Sequence, residues 1–206
     1  MDTARPRAEG LAIAGERISA LGTTAEMRRL AGPKTRLIDL KGAFEERMCR
    51  RGTTTPAFEG AFCVFDDDGP LRRLASDRVV ADGDLVAMSA GVLLDGWEGS
   101  LARTRPCGSQ RADHLDRRSR WRDEWTDLVD RCRSGARVGD LRATAGASVL
   151  GVGLGAEALE DTAALAPGMV VQLELESNGV LGADTLLIGD DGAEVLTAFP
   201  YAGGGE

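Results

Sequence analysis

The stretch DRVVADGDLVAMSAGVLLDGWEGSLARTRPCG, Asp77 to Gly108, governs how the rest of the chain is read. Val79, Val80, Leu85 and Val86 lie before Gly91, and Val92, Leu93 and Leu94 follow it. Short apolar runs broken by glycines suit two arms of a hairpin, Val79 to Gly91 and Gly91 to Thr104. Downstream, Trp121, Trp125, Leu128 and Cys132 recur at steps of four, three and four residues. That spacing predicts a long helix after Gly108 with one bulky stripe, ending near Gly135. The stripe is expected to pack inward, with His114 and most of the arginines outside.

Upstream, LAIAGERISALG, Leu11 to Gly22, alternates apolar and polar residues around a Gly-Glu turn and predicts a small hairpin. TAEMRRLAG reads as a short helix capped by Thr24 and stopped by Gly32, and TRLIDLKG as a strand. FEERMCRRG reads as the end of a helix, Thr54 to Phe65 as a strand region, and Asp66 to Gly69 as a turn.

The 206 residues suffice for one domain with a short appendage, and 43% hydrophobic with 28% charged residues is a globular composition. A net charge of -8 argues against a nucleic-acid partner. Arginines between Arg103 and Arg122 are interleaved with Asp113, Asp116 and Asp123, as on a solvated helix face. The four cysteines form no CxxC pair, so neither a zinc knuckle nor a thioredoxin-like site is indicated. No signal-peptide core or membrane-spanning run is present, and a cytoplasmic protein with no membrane partner is expected.

The Asp77 to Gly108 segment resembles the creatinase/aminopeptidase P family of pita-bread metallopeptidases, related to methionine aminopeptidase. Asp77-Arg78, Gly83-Asp84, Ala90-Gly91, Gly96-Trp97 and Arg103-Thr104 fall where that family's pattern puts them. So do Gly168-Met169, Asp184-Thr185, Gly192, Glu194 and Leu196-Thr197 in the C-terminal third, where APGMVVQLELE and ADTLLIGDDGAEVLTAFP resemble the family's paired strands, while ARVGDLRATAGA resembles a short family helix. The resemblance covers roughly residues 44–200 and implies an α+β fold, a shortened pita-bread domain with a curved antiparallel sheet backed by helices. Residues 11–42 resemble instead the opening β-structure of amidohydrolase-superfamily enzymes, without the HxH metal motif that follows there. The expected division is therefore a leader over residues 1–43 and a degenerate peptidase-like domain over 44–206. A genuine fusion and a decayed or misassembled reading frame both remain open.

The resemblance implies two divalent ions held by two aspartates, a histidine and two glutamates, because such cations need anionic oxygen ligands. Carried over, the five positions fall on Ser89, Ser100, Leu150, Glu174 and Ala183. Of these, Glu174 alone can bind as an anion. Glu157 stands near a second family histidine, and the catalytic histidine aligns with Arg72. The chain's one histidine, His114, lies outside every motif, which also leaves the metal-free creatinase route without its acid-base group. Neither GxGxxG, GK[ST] nor GxSxG chemistry is present.

The expected function is a non-catalytic module whose cleft binds a peptide or partner segment, with no catalytic residue and no cofactor. Self-association of the chain is left open. The alternative is a divergent metal-dependent aminopeptidase or amide hydrolase with a rebuilt site. Glu98, Glu174 and Glu176 would then hold a weakly bound Mn, Co or Zn ion, since residues two apart on a strand share a face. Ser89, Ser100, Glu174 and Ala183 are expected to line one concavity.

Overall fold

The computed structural model describes residues 10–14, 17–22, 40–58, 60–65, 82–153, 157–197 and 199–201. The expected N-terminal hairpin is present as β1 (Gly10–Ala14) and β2 (Arg17–Gly22), a two-stranded antiparallel sheet with Leu11 opposite Leu21. The expected helix over TAEMRRLAG, the Asp66 to Gly69 turn and Arg72 lie outside the described residues. The expected strand TRLIDLKG is corrected at its end: Leu40 to Gly42 open helix α1 (Leu40–Arg50), and residues 35–39 lie outside the described residues. Alternation over so few residues does not separate a strand from a helix that runs on into FEERMCR.

The main sheet is antiparallel. Its order is β3 (Thr55–Pro56), β5 (Leu85–Leu94), β6 (Trp97–Pro106), β9 (Val180–Ile188), β8 (Val170–Ser177) and β7 (Ala147–Gly151). β4 (Ala61–Val64) also pairs with β5, and β10 (Ala193–Val195) with β9. Helices α2 (Ala112–Arg131) and α3 (Val138–Arg142) complete the α+β architecture.

The central hairpin exists, but its turn is not at Gly91. The ten-residue arms β5 and β6 meet at Asp95-Gly96, where Leu94 faces Trp97. Asp95 and Gly96 have φ of 50° and 86°, the double positive φ of a two-residue turn that matches strand twist. The β8–β9 turn uses the same device at Asn178-Gly179, with φ of 52° and 69°. Gly91 instead sits in mid-strand opposite Ser100. A Cβ there would meet Ser100 Cβ at 2.6 Å and Phe58 Cε1 at 2.9 Å. The glycine is a close-packing residue, which apolar runs flanking a glycine cannot distinguish from a turn.

The α2 stripe packs inward as its spacing predicts. Trp121, Trp125, Leu128 and Cys132 are buried against Val171, Leu173, Leu175, Leu186 and Ile188 from one face of β8 and β9, with Val138 and Leu141 of α3. The Trp121 and Trp125 rings stack 5.3 Å apart, and Tyr201 lies 4.8 Å from Trp121. A second, smaller cluster on the opposite sheet face joins Cys63, Phe65, Leu85, Ala87, Ala102, Leu181 and Ala183.

His114 departs from expectation: it is buried, at 2% exposure. The residue at the helix start, Arg111, has no short side-chain oxygen to cap the first turn. The Nδ1 of His114 accepts the Arg111 backbone N–H instead, at 3.3 Å, which draws the ring inward.

Burial pushes the Cys132 thiol up from its ordinary 9.0 to about 11. Burial, then the neighbouring Asp184, pushes the Tyr201 phenol up as well. A folded-state value raised above the unfolded one means stability that is complete below the unfolded value and is lost as pH rises through the folded one. Urea denaturation should therefore show a loss of about 2–3 kcal/mol between pH 9 and 11 from Cys132, with Tyr201 adding to it. Cys132→Ala should flatten the first part of that slope; an unchanged slope would contradict the assignment.

Candidate functional site

Antiparallel pairing carries one row of side chains straight across the sheet, since directly opposed residues share a face. Ser89 faces Ala102, Ala102 faces Ala183, Ala183 faces Glu174 and Glu174 faces Ser148. The adjacent row on the same face runs through Gly91 opposite Ser100, then Thr185 opposite Gln172 and Gln172 opposite Leu150. The five candidate positions thus fall on two neighbouring rows of one sheet face.

A groove of about 400 Å³ lies over these rows. Ser89, Ser100, Leu150 and Glu174 line it, joined by Glu98, Ser148 and Gln172, with Ala57, Phe58, Gly151 and Val152 completing the walls. Backbone closes one end of it. The Glu98 N–H donates to Val152 O at 2.8 Å and Trp97 bridges to Gly153, so the chain leaving β7 crosses back to the start of β6.

Two expected positions are placed differently. Ala183 shares the face but is 1% exposed and packs into the small cluster with Ala102 and Leu181, beneath the groove instead of on its wall. A methyl group set in the middle of a five-strand row is covered by its neighbours. Glu176 lies one row further along, opposite Leu181, and is not among the lining residues. Glu157 is exposed, with its carboxylate against the backbone of Gly151 and Gly153, where a Cβ on Gly151 would meet its Oε2 at 2.4 Å.

Side-chain alternation sends Arg103 and Asp184 to the opposite face, and there they form a structure that sequence reasoning missed. The Arg103 guanidinium meets Asp184 Oδ1 at 2.6 Å with both side chains almost fully buried. It also donates to Ala102 O and Ala183 O at 2.7 Å each, and to Phe199 O at 2.6 Å. It stacks on the Tyr201 ring, 3.8 Å from its centre. The Thr197 and Tyr201 hydroxyls donate to the two oxygens of Asp184.

The threonines beside these two residues join β6 to β9 on the groove face. Thr104 Oγ1 donates to Leu181 O at 2.9 Å and accepts the Leu181 N–H at 2.8 Å. Thr185 Oγ1 donates to Gln172 Oε1 at 3.1 Å, with Ser100 O at 3.3 Å. The pairs Arg103-Thr104 and Asp184-Thr185 are therefore a structural clasp between strands. A signal was available in the sequence, because an Arg-Thr and an Asp-Thr pair within strand runs puts an opposite-charge couple on one face and a hydroxyl couple on the other.

An antiparallel sheet with the candidate positions on one face and α2 and α3 packed on the other is a fold of the pita-bread class. The chain belongs to metallopeptidase family M24, which it matches over residues 9–158. It is 27% identical over 121 residues to a methionine aminopeptidase of Mycoplasma capricolum, covering 56% of this chain and 48% of that protein. The fold is similar to a Xaa-Pro dipeptidase from Bacillus anthracis, with a TM-score of 0.68 and 19% identity over 86% of this chain and 57% of that one. It is also similar to a prolidase from Pyrococcus furiosus, with a TM-score of 0.66 and 23% identity over 78% and 55% of the two chains. The chain spans about half the length of the curated relatives it matches.

The donor set does not fit a pair of divalent ions. Its two hydroxyls are neutral, Leu150 and Ala183 offer no donor atom, and Glu174 is the single carboxylate among the five positions. Among the described residues, no group of three His, Cys, Asp or Glu side chains converges to hold a metal. No helix among the described residues is long and apolar enough to cross a membrane.

Proposed function

We propose that this chain is a non-catalytic member of the family whose groove binds a peptide or partner segment, in a cytoplasmic setting. One observation carries the proposal. Positions Ser89, Ser100, Leu150 and Glu174 line one groove of about 400 Å³, within the size range of small-ligand sites, yet contribute a single anionic donor. Neutral hydroxyls and hydrocarbon do not offset the dehydration of two adjacent dications, so the route that polarises a carbonyl and activates water is closed.

Glu98 and Glu174 on the same groove support a second reading, a rebuilt single-cation site with weak affinity for Mn, Co or Zn. Elemental analysis after dialysis separates the two. The expected result is well under one equivalent of metal, and no cleavage of Xaa-Pro or Met-initiated peptides with any of the three ions added. Near-stoichiometric metal with chelator-sensitive hydrolysis, abolished by Glu174→Ala, would replace the first reading with the second.

The division near residue 43 belongs to the same proposal. The β1–β2 hairpin pairs within itself, and among the described residues its strands hydrogen-bond to no strand of the larger sheet. Deleting residues 1–39 is expected to leave a cooperative thermal melt. Loss of the melt on truncation would make the leader part of the main fold.

A further inference from the structure

β6 carries a second arginine on the helix face of the sheet. Arg105 stands two residues beyond Arg103 and therefore on the same side. Helix α2 runs over this region: Trp121 packs on Tyr201, Tyr201 stacks on Arg103, and Arg118 lies one helical turn before Trp121. The adjacent Arg117 reaches the β8–β9 turn, where a Cβ on Gly179 would meet its Nη1 at 2.9 Å, and Leu181 two residues on is held to Thr104. Arg118 is thereby brought beside Arg105.

These two arginines lack a counter-ion. Arg103 is paired with Asp184, and Asp113 is shared by Arg111 and Arg117. Among the described residues, neither Arg105 nor Arg118 forms an ion pair with a carboxylate. Arg105 Nη2 donates to Pro200 O at 2.6 Å, while Nη1 is buried and has no hydrogen-bond partner among the described residues. Burial, then the charges of Arg103 and Arg118, hold the Arg105 pKa below its ordinary value. A guanidinium still keeps its proton near neutral pH, so the pair stays doubly charged. Two neighbouring cations with a buried donor unmet call for an anion at that place.

We propose that Arg105 and Arg118 bind a phosphate group, on the sheet face away from the groove. Two guanidinium ions match its double charge, and its oxygens accept several N–H donors at once. A carboxylate would leave one of the two charges unmatched. The Phe199 ring, 54% exposed, has its centre 5.6 Å from the Arg105 guanidinium carbon. An exposed ring changes rotamer readily, which opens a way to Nη1 and sets the ring against an apolar substituent on the phosphate. The site is separate from the groove and stands whatever the groove binds.

Calorimetric titration of the full chain with inorganic phosphate and with acetate, at about 0.1 M chloride to screen the net charge, tests this. Phosphate is expected to bind at least about tenfold more tightly than acetate, and Arg118→Gln to weaken it by about tenfold or more. Arg120→Gln, at an exposed position on another face of α2, should leave it unchanged. Arg105→Gln should act as Arg118→Gln does; if it fails to fold, the half-buried helix position Arg118 carries the test.

Phenyl phosphate assigns the source. Binding tighter than that of inorganic phosphate, and lost in Phe199→Ala, points to a phosphate ester with an apolar group, and equal binding to the free ion; either supports the proposal. Phosphate bound no more tightly than acetate, or not at all below about 10 mM, would overturn it. So would an affinity unchanged by the arginine substitutions in folded protein, or an equal loss in Arg120→Gln.

Discussion

Asp184→Ala is expected to lower unfolding stability by about 3–5 kcal/mol, the cost of breaking a buried ion pair by removing one partner. The Arg103 guanidinium, 2% exposed, would remain in the interior without its carboxylate. The Thr197 and Tyr201 hydroxyls would lose their acceptor at the same time, releasing the C-terminal segment that Arg103 also holds through Phe199 O. Urea denaturation followed by tryptophan fluorescence reads the loss, because Tyr201 packs against both Trp121 and Trp125. Replacing both charges, as Arg103→Met with Asp184→Leu, should recover a large part of it, since an apolar pair of similar volume leaves no buried charge. A loss below about 1 kcal/mol in the single variant would mean that the pair is solvated and that the clasp holds little, as at exposed ion pairs.

Trp121→Ala is the second large loss, again about 3–5 kcal/mol. The side chain is 1% exposed, stacks on Trp125 and donates Nε1–H to Leu175 O at 3.1 Å. Its ring also fills the space above Gly182, where a Cβ would meet Cζ2 at 2.2 Å. Truncation leaves a cavity next to a strand backbone that cannot move inward without breaking its ladder with β8. Thermal and urea unfolding measure the cost, and Trp121→Phe should retain much of the packing while giving up the hydrogen bond. Loss of less than about 1 kcal/mol would contradict the burial of the stripe.

The helix stripe was legible because helical periodicity is a local property. Trp121, Trp125, Leu128 and Cys132 are placed on one face by backbone geometry before any partner is known. The two strand pairs around Asp95-Gly96 and Asn178-Gly179 have the same local character, although the apolar runs around Gly91 pointed to the wrong glycine. The candidate positions were legible for a different reason: their spacing resembled that of a known family. The residues between them had to reproduce strand alternation for Ser89, Ser100 and Glu174 to reach the same side.

His114 was legible by the same rule and was misread: it stands seven residues before Trp121, two helical turns away on the buried face of the stripe, and there its ring also accepts the Arg111 backbone N–H. Ala183 shows where local reading ends. Its face follows from alternation, whereas its depth follows from Ala102 and Leu181 packed beside it.

The sequence by itself therefore determines the buried face of the long helix through short-range periodicity, and through its resemblance to a known family it implies the α+β class and the scarcity of anionic donors at the ligand positions. Strand register in the folded molecule establishes the rest. It sets Ser89, Ala102, Ala183, Glu174 and Ser148 in one row, opens the groove above them, and turns Arg103 and Asp184 into a buried pair 81 residues apart in sequence. Turn residues fix register within each hairpin, but Arg103 and Asp184 meet through the pairing of β6 with β9, which joins segments far apart in sequence that no local pattern links.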